Sequence, residues 1–515
     1  MEFKLNKEEI LTAETILSTV QEQSVELDYV LPDYYPEIFK IIKCIVTPRA
    51  ASYSLNGNKL TYDISVSVKV LYCAEGSSAV KVIEQKLMYT KTAEMGRAGE
   101  NPNVTINMRT DYVNCRAVNQ RRIDIRGAVS AEILVTDVSR SELISDAFGM
   151  DICVKKIPVS FPVNRLFTTK QISVSEELEL GMSKPSIDSI IFFDAAVSST
   201  DKKVIANKMV AKGELCINML YTYSDGDSAG IEPMQFTLPF SQIIDFDGID
   251  ERFDCFVDAD ILSCEAEPKA DGEGNTKVVD CNISLMIKCS AYRTASVELA
   301  VDEYSTKYGC SHSVSTVKIE SMPQYINYSG IIRSSVDTAD TIDCVYCARC
   351  SIKSFTAVYD KESGSIKIDG TAIYNIIVRG EDGMAASIDK EDAFTLNTPV
   401  DNLTESCSIN VKVIPLTYSY SISSGNSVDI KTDIKVCGTA SCIETVNGLS
   451  DIFIDENTIY EHDDNCAVKL YFASAGESLW DIAKRYKASE DAISEENDVD
   501  SSNITDNCML IIPML

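Results

Sequence analysis

Alternation of apolar and polar residues with a period of two runs through most of the chain, from about residue 25 to residue 460. The clearest stretch is 60–71, where Leu60, Tyr62 and Ile64 open a row of apolar residues separated by polar ones. Such a pattern places one face of a strand against a core and the other face in water. Val, Ile, Thr, Ser and Tyr dominate these stretches, and Gly, Asp and Asn mark the breaks. The sequence therefore predicts a mainly β fold.

Pairs of strands with this pattern recur, which indicates an internal repeat. The turn after the first strand of each pair ends at Gly76, Gly226 or Gly383, and these glycines are 150 and 157 residues apart. Gly213 and Gly370 each stand 13 residues before the second and third of them. A period of domain size predicts three tandem sandwich- or barrel-like domains rather than a solenoid. The strand pairs are 60–71 with 123–135, 215–221 with 281–289, and 372–378 with 428–436.

The two ends of the chain depart from the period of two. Near the N-terminus, Ile10, Leu11 and Ala13 open a series of apolar residues close to helical spacing, which predicts a short lead-in helix. At the other end, a strand over 468–472 precedes two amphipathic helices and a closing strand over 509–513, which predicts a small α+β unit of the βααβ type. The expected limits are 1–25 for the lead-in helix, 26–165, 166–305 and 306–460 for the β-domains, and 466–515 for the C-terminal unit.

The charge balance argues against several classes of partner. The chain has 47 Lys and Arg against 78 Asp and Glu, a formal net charge of −31, which repels phosphate backbones and anionic lipid headgroups. No secretory signal and no long apolar stretch are visible, so we expect an intracellular protein that binds neither nucleic acid nor membranes. Its 18 cysteines are then expected to be reduced thiols, mostly in cores.

Few residues offer catalytic or metal-binding chemistry. Cys344, Cys347 and Cys350 have the spacing of a metal-binding run, but no fourth ligand stands close by, and on a strand the middle thiol points away from the other two. The two histidines, His312 and His462, lie in polar connections, and no glycine-rich phosphate loop is present. The sequence predicts a protein that is not an enzyme and uses no metal or cofactor. A thiol-dependent or metal site at the three cysteines is the alternative.

The C-terminal unit resembles the LysM domain. The sequence GESLWDIAKRY at 476–486, Asn497 and LIIP at 510–513 carry this resemblance. Trp480, the only tryptophan, lies in the first helix of the pattern and is expected in the domain core rather than as a sugar-stacking platform. The resemblance implies a binding site for a partner or a glycan on the loops. Its residues here are Gly476, Glu477, Ser478, Asn497, Asp498 and Ile504.

The upstream repeats resemble the SPOCS domain of clostridial spore-coat proteins, in which a Pro-Asp opening precedes alternating strands that end in a Leu-Tyr turn. Leu31-Pro32-Asp33, Leu71-Tyr72 and Leu220-Tyr221 carry this resemblance. Three SPOCS-like domains followed by a LysM domain is the arrangement of SipL-like spore morphogenetic proteins. The chain is thus identified as similar to that family over nearly its whole length.

This resemblance implies a structural adaptor of the endospore coat, located in the mother-cell cytoplasm at the forespore surface. Its LysM domain would dock on stage IV sporulation protein A, the ATPase of the coat basement layer. Its β-domains would bind other coat proteins or self-assemble, since sheet edges are natural pairing templates. The acidic C-terminal unit favours a protein partner over anionic wall polymers. The alternative is a protein of the cell wall or cortex that binds peptidoglycan or other N-acetyl glycans.

Overall fold

A computed structural model gives the structure of most of the chain. It describes residues 3–75, 79–100, 102–225, 228–272, 274–338, 341–381, 383–423, 426–460, 467–499 and 503–513. These residues form three β-modules and a small C-terminal unit with two short helices. The predicted fold class, mainly β with a small α+β unit at the C-terminus, is confirmed.

The first module consists of six antiparallel strands. They are β1 (Lys4–Val30), β2 (Ile38–Asn56), β3 (Lys59–Ala74), β4 (Val80–Glu94), β5 (Asn103–Asn119) and β6 (Arg122–Phe148). The sheet β2-β3-β4 and the sheet β1-β6-β5 enclose one apolar core, so the module is a sandwich. Tyr62, Ile64 and Val66 of β3 are fully buried there, while the polar residues between them are partly exposed. This burial follows the alternation in the sequence.

The second module repeats the same strand order. Its strands are β7 (Ile152–Glu179), β8 (Ser189–Ile205), β9 (Lys208–Asp225), β10 (Ser228–Asp245), β11 (Asp254–Lys269) and β12 (Val278–Ser305). The sheet β10-β9-β8 faces the sheet β11-β12-β7 across a separate apolar core. Each strand therefore has the same place in its sheet as the strand six positions earlier in the first module.

The third module keeps this order with one interruption. Its strands are β13 (Tyr308–Glu320), β14 (Gln324–Asp337), β15 (Ile342–Asp360), β16 (Ser365–Gly380), β17 (Ala385–Pro399), β18 (Cys407–Ile422) and β19 (Ser427–Ile459). Both β13 and β14 pair with β19, as β1 pairs with β6. The gap between β13 and β14 contains Pro323, which lacks the N–H that strand pairing needs.

The predicted helix at residues 1–25 is wrong. From Lys4 onward this segment belongs to β1, which pairs with β6 up to Val30. Ile10, Ile16 and Val25 are buried by neighbouring strands, and a register shift between Thr15 and Leu17 interrupts the strict alternation. A few apolar residues near helical spacing do not define a helix when a long partner strand supplies the backbone hydrogen bonds.

The predicted boundary between residues 165 and 166 falls inside β7. Because β7 pairs with β12 along its whole length, the second module begins at Ile152. The connection between the first two modules is only residues 149–151, where Gly149, Met150 and Asp151 all have positive φ angles. So short a turn carries none of the composition change that marks a linker, and the sequence pattern therefore placed the boundary too late.

The three modules pack against one another through shared apolar clusters. Leu71, Leu220 and Ile377 come from corresponding strands of the three modules, are fully buried, and lie in one shared apolar cluster. A second shared cluster combines Ile10 and Leu143 of the first module with residues from the long strands of the other two. The repeat in the sequence is therefore also an approximate symmetry of the fold.

Ion pairs between modules accompany this apolar packing. Asp194 of the second module accepts hydrogen bonds from Arg49 of the first module at 2.6 Å and from Arg349 of the third at 3.4 Å. Lys412 of the third module binds Asp258 at 2.7 Å and Asp260 at 2.5 Å in the second. Although burial opposes the charged form of Lys412, the two carboxylates raise its pKa above the usual value. The lysine therefore stays charged at the junction.

The chain ends in a compact unit of two strands and two helices. These are β20 (Val468–Ala473), α1 (Leu479–Tyr486), α2 (Glu490–Asn497) and β21 (Cys508–Pro513). The strands pair antiparallel, and Ala483, Ile493 and Ile512 are fully buried between the helices and the sheet. Neither helix is long and apolar enough to span a membrane, and no other helix is described.

Two of the glycines that share the register of the repeat, Gly213 and Gly370, occupy equivalent, crowded positions. Gly213 lies opposite Phe240, and Gly370 lies opposite Phe394, in the same strands of modules two and three. In both, a side chain on the glycine would collide with the aromatic ring and with a carbonyl of the neighbouring strand. We predict that Gly213→Ala lowers the free energy of unfolding by about 1–3 kcal/mol through overpacking. Denaturant unfolding of the intact chain, followed by circular dichroism, measures this change.

The matched control is Gly181→Ala in the same module, because a methyl group there meets no atom within 4 Å. This variant is expected to keep the stability of the unchanged chain. Equal stabilities of the two alanine variants would contradict the crowding at Gly213.

Candidate functional site

The predicted binding residues lie in the loop before α1, at the C-terminal end of α2 and in the loop after it. Gly476 has a φ angle of 90°, which a glycine adopts without strain, and its N–H donates to the Ile504 carbonyl at 2.7 Å. The Ile504 N–H donates in turn to the Glu477 carbonyl at 2.9 Å, and Ser478 forms a β-bridge with Asn503. The structure thus brings Gly476, Glu477, Ser478 and Ile504 together. Their backbone groups are bonded to one another across the two loops.

The side chains of these loop residues are also engaged within the unit. Glu477 accepts hydrogen bonds from the Ser474 N–H and the Tyr471 hydroxyl, each at 2.9 Å. These bonds hold the pKa of Glu477 below its usual value, and the bond from the Ser474 N–H has the largest effect. Ile504 is buried in the apolar core and offers no polar group from its side chain. Ser478 stays partly exposed, and its side chain makes no capping bond to α1.

Asn497 and Asp498 lie together at the C-terminal end of α2. The Asn497 amide donates to the carbonyls of Ile493 and Ile511, and its oxygen accepts from the Ile511 N–H, all at 2.7 Å. Asn497 therefore fastens α2 to β21. Asp498 takes a left-handed conformation that ends the helix. These contacts give Asn497 a structural role, since its amide is already fully used for fastening.

The C-terminal unit is docked on the end of the second module, which the sequence did not predict. The Trp480 Nε1–H donates to Asp302 Oδ2 at 2.8 Å, and Lys484 Nζ donates to Asp302 Oδ1 at 2.6 Å. Tyr304 packs edge-on against Trp480, and its hydroxyl donates to the Ala488 carbonyl at 2.8 Å. Burial raises the pKa of Tyr304, so the hydroxyl remains a donor. Trp480 is thus buried, as expected, and unable to act as an open sugar-stacking platform.

One face of the β20–β21 sheet is apolar and open to solvent. Phe472 lies opposite Met509, and Leu470 lies opposite Ile511, so these side chains share the face that points away from the core. Leu470 is 66% exposed and Phe472 is 63% exposed. An exposed cluster of large apolar side chains is typical of a surface that contacts another molecule. The outer face, as we call it, consists of Val468, Leu470, Phe472, Met509, Ile511 and Pro513.

The cysteine run lies in β15, and its thiols face different environments. Cys347 belongs to the apolar cluster shared by the modules, whereas Cys350 belongs to the core of the third module. Burial raises the pKa of each thiol to about 12, so both remain protonated and poorly nucleophilic at neutral pH. Among the described residues no group of three or more Cys, His, Asp or Glu side chains is placed to hold a metal ion.

Of the two histidines, His462 lies outside the described residues. His312 is partly exposed in β13, and its Nδ1 lies 3.0 Å from Glu303 Oε1. The Cys310 thiol donates to the other oxygen of the same carboxylate. Burial raises the pKa of this thiol to about 12. The Glu303 carboxylate lies between the thiol and the imidazole, so the thiol donates its hydrogen bond to the carboxylate and not to His312.

Comparison with known protein families agrees with the geometry of two regions. Residues 186–269 match the family model described as SipL, SPOCS domain, and residues 474–513 match the model of the LysM domain. The chain contains both domains. The first match spans β8 to β11 of the second module, and the combination fits a spore-associated, SipL-like protein with a LysM domain. Both families are binding domains rather than catalytic ones. No curated protein and no solved structure matches the chain.

The bonds of Asn497 lead to a test of the LysM domain. We predict that Asn497→Ala lowers the free energy of unfolding of this domain by about 2–4 kcal/mol, because it leaves buried backbone groups without partners. The fluorescence of Trp480, the only tryptophan of the chain, follows this unfolding. Thr505→Ala, an exposed change in the same domain, is the control and is expected to have little effect. An unchanged midpoint for Asn497→Ala would contradict the fastening role.

The contact between the LysM domain and the second module should depend on pH. Although burial opposes it, the bonds from Lys484 and Trp480 lower the pKa of Asp302 below its ordinary 3.8. The docking contribution of Asp302 is therefore complete above pH 3.8 and is lost as the pH falls through the lower pKa of the docked state. We predict a red shift of Trp480 emission over this acidic range and, for Asp302→Ala, a red shift already present at neutral pH.

Asp28→Ala is the control for this measurement, because it removes an exposed ion pair with Arg122 in the first module, which is remote in sequence from the LysM domain. It should leave the emission of Trp480 unchanged. Identical emission for Asp302→Ala and the unchanged chain at every pH would rule out this contact as the docking interaction.

Proposed function

We propose that the chain is a non-enzymatic structural adaptor in endospore coat assembly, located in the mother-cell cytoplasm at the forespore surface. Its LysM domain docks on the coat ATPase, stage IV sporulation protein A, through the outer face of the β20–β21 sheet. The β-modules form the rigid body that carries this domain. The presence of a SipL-type SPOCS domain together with a LysM domain supports the assignment to the spore.

The observation that carries the proposal is the exposure of the outer face. Its six side chains are all apolar, and Leu470 and Phe472 are largely exposed at its centre. Phe472 is the one aromatic ring of this face on which a sugar could stack, whereas apolar and aromatic side chains of a protein partner bury the whole face with a favourable free energy. A small patch with large apolar anchors is the usual composition of an energetic hot spot.

The predicted loop site is less suited to the contact. The backbone groups of Gly476, Glu477 and Ile504 bond to one another, and the Asn497 amide is used inside the domain. A glycan that bound these loops through hydrogen bonds would have to break bonds that already exist. The alternative function, binding of peptidoglycan or N-acetyl glycans, therefore has less support than docking on a protein.

A binding measurement with purified stage IV sporulation protein A tests the proposal. We predict that Leu470→Asp and Phe472→Asp weaken binding of the full-length chain by at least about tenfold, because each buries a carboxylate in an apolar contact. Since both side chains are largely exposed, the variants are expected to keep their thermal stability. Biolayer interferometry with the immobilised ATPase gives the dissociation constants.

Met182→Asp is the matched control, because Met182 is 99% exposed but belongs to the second module. It should bind the ATPase like the unchanged chain. Unchanged binding of the two LysM variants would place the contact elsewhere and overturn the docking face. If the chain bound purified muropeptides and did not bind the ATPase, the glycan-binding function would be supported and the adaptor function would be overturned.

A further inference from the structure

The long strand pairs of the three modules end in the same way. Near the end of β6, β12 and β19, an aspartate is followed two residues later by an aromatic residue. In each strand the residue directly before the aspartate is skipped in the pairing, so the register shifts at the same place. This shared irregularity makes the three ends equivalent position by position. The equivalent residues are Asp146 and Phe148, Asp302 and Tyr304, and Asp451 and Phe453.

Two of the three aspartates are paired with a lysine from a neighbouring module. Lys156 of the second module lies 2.7 Å from Asp146 of the first, and Lys7 of the first lies 2.9 Å from Asp451 of the third. The two lysines hold equivalent positions, because each is the first residue of its strand that pairs beyond the register shift. Each of these ion pairs therefore joins two modules at the same structural place.

The third module has a valine at this position. Val314 is the first residue of β13 that pairs beyond the register shift, which makes it the counterpart of the two lysines. Here β13 lies beside the end of β12, since His312 of β13 contacts Glu303 of β12 at 3.0 Å. Val314 is 53% exposed, so the position has room for a longer side chain. Because valine carries no charge, the third module supplies no cation to Asp302 from this position.

The LysM domain supplies the missing cation. Lys484 Nζ lies 2.6 Å from Asp302 Oδ1, and within the described ranges Asp302 forms an ion pair with this lysine alone. Trp480, one turn earlier in α1, donates to the other carboxylate oxygen. A partly buried carboxylate gains most from donors that are charged and lie at hydrogen-bond distance. One face of α1 thus takes the place that a lysine of the neighbouring module takes at the other two ends.

The exposure of the aromatic residues follows the same division. Tyr304 is only 1% exposed, because Trp480 packs edge-on against it. Its counterparts Phe148 and Phe453 are 50% and 57% exposed. The aromatic side chain is therefore covered at the one end where the module lysine is missing, and it stays open at the two ends where that lysine is present.

We infer that Val314 determines the module on which the LysM domain docks. By leaving Asp302 without a cation from the third module, this valine creates a docking site for the face of α1 that carries Trp480 and Lys484. At the other two ends, Lys7 and Lys156 occupy the equivalent carboxylates. A single LysM domain therefore has one position on the β-modules. This inference does not depend on which molecule the outer face of the LysM domain binds.

A lysine introduced at position 314 of the full-length chain tests the inference. The new side chain should pair with Asp302 and repel Lys484, which weakens the docking contact. Acrylamide quenching of Trp480 fluorescence measures the result, because this tryptophan lies in the contact and is the only one in the chain. We expect Val314→Lys to raise the quenching constant at least about twofold, since like charges placed together are strongly unfavourable.

Val314→Met is the matched control, because methionine is similar in length to lysine and carries no charge. It should be quenched like the unchanged chain, and circular dichroism establishes that both variants are folded. Lys484→Met completes a double-mutant cycle. It should raise the quenching constant clearly in the unchanged chain but little in the Val314→Lys background, where Asp302 already has a cation. Equal quenching of the lysine and methionine variants at position 314, or an equal effect of Lys484→Met in both backgrounds, would overturn the inference.

Discussion

The structure depends on long antiparallel strand pairs, one in each module. Strands β1 and β6, β7 and β12, and β13–β14 with β19 form ribbons of 26 or more residues that run through one sheet of each sandwich and continue beyond it. Beyond the sandwich cores, the apolar side chains of these ribbons pack on one another in a second shared cluster. The ribbons therefore hold the modules together. The end of the β7–β12 ribbon carries Asp302 and Tyr304, which position the LysM domain.

The symmetry of the repeat is broken where specific contacts are formed. One LysM domain docks on one module, because its contact with Trp480 and Lys484 involves Asp302 and Tyr304 of the second module. The repeats supply a rigid frame, and individual side chains confer specificity on it.

Local patterns allowed much of the fold to be predicted, and long-range contacts account for what was missed. The alternation around Leu60 predicted the strands, and the matching positions of Gly213 and Gly370 predicted the repeat. Both patterns arise from side-chain packing between adjacent strands. The segment around Ile10 was assigned to a helix because its partner strand lies more than 100 residues away. Asp302 could not be linked to Trp480 for the same reason. The loops of the LysM domain could be predicted from the family resemblance. The outer face could not, because the sequence does not show which side of β20 packs against the helices.

The central functional claim is that the outer face of the LysM domain contacts a protein of the coat. Photo-cross-linking tests it most directly, with a photoreactive phenylalanine analogue in place of Phe472 and, in separate chains, of Ser478 and Met182. Mixed with stage IV sporulation protein A and irradiated, the chain modified at position 472 should form a covalent adduct, and the other two should not. An adduct formed only from position 478, or none from position 472 while the proteins remain bound, would contradict the account.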